Sequence, residues 1–305
     1  MEDRADRLSR QVSPRRVLLA TDGSPDAALA SRAAAEICQK TGASLHVAHA
    51  WQTLPAAHMR SFVRSGLKSM ARERLDAEGE KLQSAGISGI ESHLLEGKAA
   101  EKVLDLAEEV DAGLLVLGSR GMGPVERLAL GSVSEEVVHH ATRPVLLLRG
   151  SDSAWPPERV IFTDDGSETA RAAQELAASL CGGREAHGLM VRVRPELPEF
   201  DAKERAYDAR AADDELRRQE QSLLERAEEL RAGFGGRPKV KLSVGDAAAE
   251  ILEAAAQESP QSTLIVAGSR GLGRIGRMRL GSVSTKLLHA AHGPILIHPP
   301  LTERS

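Results

Sequence analysis

The chain has 305 residues, a formal net charge of −4, 41% hydrophobic residues and 28% charged residues. This length fits one large or two ordinary domains, and the composition excludes a wholly disordered chain. Aromatic residues make up only 2%, which argues against a surface that stacks single-stranded bases, and the acidic balance provides no field that attracts DNA or anionic membrane.

The termini and cysteines indicate the compartment. The longest apolar stretches, such as 114–117 and 145–148, are far shorter than the roughly 18 residues of a membrane span. The start of the chain lacks the apolar segment of a signal peptide, and we interpret residues 1–13 as a disordered tail. Two cysteines are too few for a disulfide framework. We therefore expect a cytoplasmic protein that binds neither nucleic acid nor membrane.

Strands and helices alternate along the first half in chain order. The predicted strands are 17–20, 45–50, 91–95, 114–117 and 145–148, and the predicted helices are 27–40, 61–83, 99–110 and 133–140. Strands separated by helices predict a parallel sheet covered by helices on both faces.

The second half repeats the first. VLLATDGS at 17–24 returns as VIFTDDGS at 160–167, and GSRGMGPVERLALGSVS at 118–134 returns as GSRGLGRIGRMRLGSVS at 268–284. The period has the length of a domain, so the pattern indicates a duplicated domain. The offset grows from 143 (165 − 22) to 150 (268 − 118), and we expect some of the added residues at 258–263.

The domain boundaries follow from this repeat. We predict a first domain at 14–150 and a second at 159–305, joined by a linker at 151–158 whose Ser and Pro content is typical of such segments.

The segments that recur best follow the first and fourth strands of each half, where parallel sheets bind ligands. Gly118 and Gly121 precede, by nine intervening residues, a Gly131-Ser132 pair that opens a helix. Bare backbone and free helix N–H groups suit a phosphate. Asp22 would accept hydrogen bonds from ribose hydroxyls or help to place a metal.

A second interpretation fits the same residues equally well. Ser132 and Glu135 match a capping box, which needs no ligand. The Asp-Gly-Ser runs at 22–24 and 165–167 are also ordinary turn chemistry. The sequence lacks a P-loop signature and the paired-cysteine spacing of a zinc site.

These residues resemble the universal stress protein family, whose nucleotide-binding members carry G-x2-G-x9-G-[ST] after the fourth strand and an Asp after the first. Both elements occur twice here, and the similarity covers about 16–299. The resemblance implies an α/β fold of two tandem Rossmann-like domains, of the adenine nucleotide alpha hydrolase-like type. Each would have a five-stranded parallel sheet and hold one ATP, with or without Mg²⁺.

The resemblance also implies two sets of adenine nucleotide contacts, and we expect no catalytic residue. In the first site they are Asp22 near the ribose or adenine, Val47 beside the base, Gly118, Ser119, Arg120 and Gly121 along the ribose and phosphates, and Gly131, Ser132 and Val133 on the phosphates. In the second site they are Asp165, Val191, Gly268, Ser269, Arg270, Gly271, Gly281, Ser282 and Val283.

The two predicted sites differ in charge. Asp164 replaces Thr21, and we expect this second acid to weaken triphosphate binding or to recruit Mg²⁺. Segment 270–281 has four arginines and no acid, whereas 120–131 has two arginines and one glutamate. These arginines are either exposed surface residues or a stronger clamp on the phosphates.

Family members pair two domains through their final strands. We expect 145–148 and 295–297 to meet in an intramolecular pseudo-dimer, since an open apolar edge invites aggregation. A homodimer and further protein partners remain options. Cys38 and Cys181 are expected to be small buried residues. His46 and His49, on opposite faces of a strand, are not expected to share a metal.

The resemblance implies an ATP-binding regulator or sensor in the stress response. One alternative is a slow ATPase or phosphotransferase, for which the sequence shows no general base or nucleophile near the γ-phosphate. Another is an interaction scaffold that binds no nucleotide.

Overall fold

The computed structural model describes residues 13–52, 61–121, 130–149, 155–183, 186–196, 205–257, 259–269 and 280–301. The strands of the described residues are β1 (Arg16–Ala20), β2 (Ser44–Trp51), β3 (Glu91–Glu96), β4 (Leu114–Gly118), β5 (Val145–Leu148), β6 (Arg159–Thr163), β7 (His187–Arg194), β8 (Lys239–Val244), β9 (Thr263–Gly268) and β10 (Ile295–His298). The helices are α1 (Pro25–Thr41), α2 (Ser61–Ser84), α3 (Ala99–Glu109), α4 (Ser132–His140), α5 (Glu168–Cys181), α6 (Arg205–Phe234), α7 (Ala247–Ala256) and α8 (Ser282–Ala290), with a 3₁₀ turn at Pro260–Ser262.

All ten strands form one sheet in the order β3-β2-β1-β4-β5-β10-β9-β6-β7-β8. Each half contributes five parallel strands, and the two halves join through antiparallel pairing of β5 with β10, where Leu146 lies opposite Leu296. The predicted α/β fold is confirmed, and the two final strands meet as expected.

Helices cover both faces of the sheet, because neighbouring residues of a strand point to opposite sides. Val17 and Leu19 pack in an apolar cluster with α1, α2, α5 and α6. Leu18, between them, packs in a second cluster with α3, α4, α7 and α8. Both layers consist mainly of Ala, Leu, Val and Ile, as the low aromatic content requires.

The extra residues of the second half lie in two places. The offset is 143 at the start of β7 (187 − 44), 148 at the start of β8 (239 − 91) and 150 at the end of β9 (268 − 118). Most of the added length therefore lies between β7 and β8, where α6 has 30 residues and α2 has 24. The expectation that some of the added residues lie at 258–263 is confirmed, since the smaller insertion falls between α7 and β9.

Some sequence predictions fall outside the described residues. These include most of the predicted tail (1–12) and part of the predicted linker (151–154). Within the described part of the chain, no helix is long and apolar enough to cross a membrane.

Both cysteines are buried and form no disulfide. Cys38 is 5% exposed and Cys181 is fully buried, each in the first helix of its half. Burial raises the pKa of the Cys38 thiol to about 12, so that thiol stays protonated at neutral pH. The expectation that both are small core residues is confirmed.

The partly buried side chain of His298 should make the stability of the folded chain depend on pH. It ends β10 at the place that Leu148 takes in β5, and its Nδ1 lies 2.8 Å from the carbonyl oxygen of Pro299. Burial lowers the pKa of His298. The unfolded chain therefore takes up a proton before the folded one does.

Lowering the pH through the unfolded histidine pKa of about 6.5 should therefore remove stability. In His298→Leu, we expect the urea midpoint to fall less between pH 7 and pH 5 than in the original chain. The exposed His140→Leu variant serves as control and should keep the original slope. Equal slopes in the original chain and His298→Leu would contradict this role of the buried imidazole.

Candidate functional site

A cavity of about 290 Å³ lies at the carboxyl ends of β1 and β4, where the strand order changes direction. Its polar lining includes Thr21, Asp22, Arg120, Gly121, Gly131, Ser132 and Ser134. Its apolar lining is Ala20, Ala27, Ala48, Ala50, Ala99, Val103, Leu117 and Val133, joined by Gly118. Small side chains dominate the apolar lining, so the space that larger residues would occupy is open.

Helix α4 begins at this cavity, and its first backbone N–H groups receive no side-chain cap from the described residues. Its N-cap is Gly131. Ser24, by contrast, caps α1 by accepting a hydrogen bond from Ala27 N at 3.2 Å. The predicted capping box is therefore wrong, since Ser132 is the first residue inside the helix. An uncapped helix start on a cavity is suited to an anion.

The same helix start occurs in the second half. Helix α8 has Gly281 as its N-cap, again without a side-chain cap among the described residues. Each loop is held by a backbone bond, from Gly131 N to Ser119 O at 2.8 Å and from Gly281 N to Ser269 O at 2.6 Å.

A serine inside each helix completes this support, and our sequence reasoning missed both. Ser134 donates to Gly118 O and Ser284 donates to Gly268 O, both at 2.7 Å. The repeated GSVS run was the signal that could have identified them. Because these bonds fix the loops, the helix N–H groups are preorganised in both halves.

The recurrence of glycine at 118 and 268 has a packing cause. A Cβ on Gly118 would lie 2.6 Å from Asp26 C, and one on Gly268 would lie 2.8 Å from Ala170 N. Both glycines therefore let a strand end approach the first turn of a helix. Gly118 also lines the cavity, so its packing role stands beside the prediction that a ligand approaches its backbone.

Asp22 and Asp165 both close turns. Ser24 N donates to Asp22 Oδ1 and Ser167 N donates to Asp165 Oδ1, each at 2.9 Å. The turn interpretation is thus correct for one carboxylate oxygen in each half. Asp22 also lines the cavity, so turn chemistry does not exclude a ligand role.

Asp26, which the sequence analysis did not single out, holds the first loop. It is 4% exposed, and Arg120 donates to its two oxygens through Nε and a terminal nitrogen, both at 3.0 Å. Ser119 Oγ donates to the same carboxylate at 2.8 Å. The first charge of the predicted phosphate loop is therefore balanced by a buried acid.

Thr169 takes the place of Asp26 in the second half, so this support is missing there. Ser269 Oγ is buried and has no hydrogen-bond partner within the described residues. Arg270 and Gly271, like the arginines up to residue 279, lie outside those residues.

Asp164 is not the free acid that the sequence predicted beside the second site. It is 6% exposed, and Arg192 donates to its Oδ1 from Nε at 3.0 Å and from a terminal nitrogen at 2.6 Å. In the first half the equivalent pair is Thr21 and His49, with His49 Nδ1 2.8 Å from Thr21 O. Asp164 and Arg192 therefore replace Thr21 and His49 as a pair. The expectation that Asp164 repels a triphosphate is wrong, because its charge is neutralised by Arg192.

Val47 and Val191 are not equivalent. Strand register pairs Ala20 with Ala48 and Thr163 with Val191, so Val191 corresponds to Ala48. Val47 packs in the cluster on the opposite face from the cavity. A shift of one residue moves a side chain to the other face, which is the error in the sequence comparison. The side chain of Val47 does not reach the described cavity lining, whereas its neighbour Ala48 does.

The apolar floor differs between the halves. Val191 and Val193 stand where the first half has Ala48 and Ala50. Three further positions differ. The first half has Ala20, Val103 and Leu117 where the second half has Thr163, Ile251 and Ala267. Four of these five changes enlarge the side chain, so the floor of the second half has less room.

Comparison with known proteins identifies relatives over nearly the whole chain. The model of the universal stress protein family matches residues 14–149 and again 157–299. A universal stress protein of Thermus aquaticus is 38% identical over 133 residues, which cover 44% of this chain and 97% of that protein. One from Mycobacterium tuberculosis is 26% identical over 300 residues, covering 92% of this chain and 95% of the relative.

A solved structure has the same fold. The crystal structure of a universal stress protein from Archaeoglobus fulgidus superposes with a TM-score of 0.63. The match covers 93% of this chain and 98% of that one at 19% identity.

Proposed function

The chain belongs to the universal stress protein family of stress-response proteins, and we propose that it is an ATP-binding regulator whose first half holds the nucleotide in the cavity beside β1 and β4. The observation that carries the proposal is the uncapped start of α4 at Gly131, which opens on that cavity. Backbone N–H groups and the helix dipole together favour a phosphate there.

The rest of the cavity fits the rest of the nucleotide. Ala48 and Ala50 leave an apolar floor without bulky side chains, which suits a flat adenine ring. Asp22, a carboxylate in the described lining, is an acceptor for ribose hydroxyls. The volume of about 290 Å³ is close to the lower limit of ordinary ligand pockets.

In the first site, we expect backbone N–H groups to make the main contacts with the phosphates, and charged side chains to have supporting roles. Arg120 is bound by Asp26, so its main contribution is to hold the loop in shape. Mg²⁺ binds ATP mainly through phosphate oxygens and needs few protein ligands. Asp22 is the carboxylate that would assist in placing it.

We propose the first site as the tighter of the two. The second half keeps the uncapped helix and the Asp165 turn, but Val191 and Val193 reduce the room for a base. As a regulator, the protein would bind nucleotide at one site, and this binding would change the surface shape or charge of the two joined halves. The cytoplasmic location, a dimer of two chains and protein partners stay predictions.

Single substitutions in the two halves test this proposal. Asp22→Ala should weaken the tight ATP site by about 10- to 100-fold, since a hydrogen bond to a charged group contributes about 1.5–3 kcal/mol. Asp165→Ala should leave the tight site unchanged. Calorimetric titration with ATP at two salt concentrations measures both, with Asp105→Ala on the exposed face of α3 as control.

The salt dependence separates the halves. The second loop carries more arginines, so the site that remains in Asp22→Ala should lose affinity more steeply with salt than the site in Asp165→Ala. Equal ATP affinity in all three variants would contradict the proposed site. Equal slopes would contradict the arginine clamp.

A further inference from the structure

Three metal-ligating side chains meet on the sheet face that also carries the cavity floor, where strand register pairs His93 with Ala48. His46 lies on β2, and Glu91 and His93 lie on β3. Register places His46 opposite Glu91 and Ala48 opposite His93. Because Glu91 and His93 are two residues apart, both point to the face that His46 occupies.

Their ligand atoms are already at a spacing that suits a metal. His46 Nδ1 lies 3.1 Å from His93 Nε2 and 3.6 Å from Glu91 Oε2, and the three ligand atoms all lie within 4.8 Å of one another. Tetrahedral bonds of about 2.0–2.1 Å place neighbouring ligand atoms about 3.3–3.4 Å apart. The observed distances lie on either side of that value, so small side-chain rotations suffice.

The cluster combines one buried side chain with one that is exposed to solvent. The His46 side chain is 6% exposed, whereas that of Glu91 is 66% exposed. Strand β3 is at the edge of the ten-stranded sheet, so an ion can enter from solvent. Arg16, a cation whose charge acts on His46, is paired with Asp111 at 2.6 Å.

We propose that His46, Glu91 and His93 form a binding site for a divalent transition metal ion of the zinc class. Two imidazoles and one carboxylate favour zinc over magnesium or calcium, which prefer oxygen ligands alone. Three protein ligands leave the fourth position to water. The bound ion would connect β2 to the edge strand β3. None of the three residues belongs to the described lining of the cavity. His93 is paired with Ala48 of the cavity floor, so this site adjoins the proposed nucleotide site without sharing a residue with it.

The second half supplies a built-in comparison. At the positions of His46, Glu91 and His93 it has Leu189, Lys239 and Lys241. An aliphatic side chain and two ammonium groups do not ligate a metal at neutral pH. The inference therefore predicts one such site per chain within the described residues.

Zinc titration of the full chain tests the inference. After dialysis against a chelator, calorimetry with ZnCl₂ should show one tight equivalent. His93→Gln and Glu91→Gln should each weaken it by at least about tenfold, because even the loss of a supporting contact around a metal typically costs 10- to 100-fold. The exposed His140→Gln and the equivalent-position Lys241→Gln should leave it unchanged.

Two further readouts keep the test decisive. Circular dichroism and the urea midpoint in chelator should match those of the original chain in both ligand variants, which shows that they fold. Zinc should then raise the midpoint of the original chain and not of His93→Gln. Absence of a tight equivalent overturns the inference. So does tight binding that survives both ligand substitutions or that depends on His140.

Discussion

Replacing both Ala48 and Ala50 with valine should lower the ATP affinity of the first half by at least about 30-fold. Each substitution puts extra methyl groups into the floor of the cavity of about 290 Å³. Overpacking of this kind costs about 1–3 kcal/mol per site, and each 1.4 kcal/mol is a factor of ten in affinity.

The second half shows that the sheet accepts these valines. Val191 and Val193 already occupy the equivalent positions of β7, so the double variant should fold with a stability close to that of the original chain. The reciprocal change, Val191→Ala with Val193→Ala, should strengthen ATP binding in the second half. Calorimetric titration of both double variants is the measurement. Undiminished affinity in the Ala48→Val, Ala50→Val chain would contradict a base over this floor.

Replacing Arg149 with methionine should destabilise the folded chain by about 2–3 kcal/mol. Arg149 follows β5, is 7% exposed and donates to Ala291 O and Leu288 O, each at 2.7 Å. These carbonyls end α8 in the other half, where a cation also complements the helix dipole. Hydrogen bonds to a charged group contribute about 1.5–3 kcal/mol each, and relief of the buried charge offsets part of that loss.

Burial lowers the pKa of Arg149 to about 10, while the Asp26 carboxylate acts in the opposite direction. The residue still carries its charge at neutral pH. Its equivalent in the second half is Pro299, so this side-chain contact between the halves is made from one side.

Urea unfolding at pH 7 measures the effect of this substitution, and Arg143→Met is the matched control. Arg143 pairs with Glu108 and Asp111 at the surface of its own half, where ion pairs contribute about 0–1 kcal/mol. If both methionine variants lose the same stability, Arg149 has no special role in joining the halves.

Local signals explain why the fold was predictable from the sequence. The Ser24 cap and Gly42, whose φ is 73°, delimit α1 within two residues of the prediction. Apolar runs such as 145–148 give β5 its observed bounds. The repeat then carried the same pattern into the second half. Each of these signals lies within a few residues of the element that it specifies.

The contacts of the sites were less predictable because they join distant residues. Asp26 and Arg120 are 94 positions apart, and the sequence around either residue does not predict that the two form an ion pair. His46 finds its partners on β3 through strand register, which sequence spacing does not reveal. The comparison that matched Val191 with Val47 was shifted by one residue, although the repeat offset of 143 already pairs Val191 with Ala48.

The pairing of Asp164 with Arg192 was also not predicted from the comparison of the two halves. Asp164 alone reads as an added negative charge beside the second site. Arg192, which neutralises it at 2.6 Å, becomes visible as its partner only when β6 and β7 are placed side by side.

Calorimetric titration of the unmodified chain with ATP in the presence of Mg²⁺ tests most directly whether the uncapped start of α4 holds a nucleotide. We predict saturable heat with one tight ATP per chain, and a thermal unfolding midpoint that rises with ATP concentration. Titrations with ATP, ADP and AMP that give no heat and no shift of the midpoint would contradict nucleotide binding at this site.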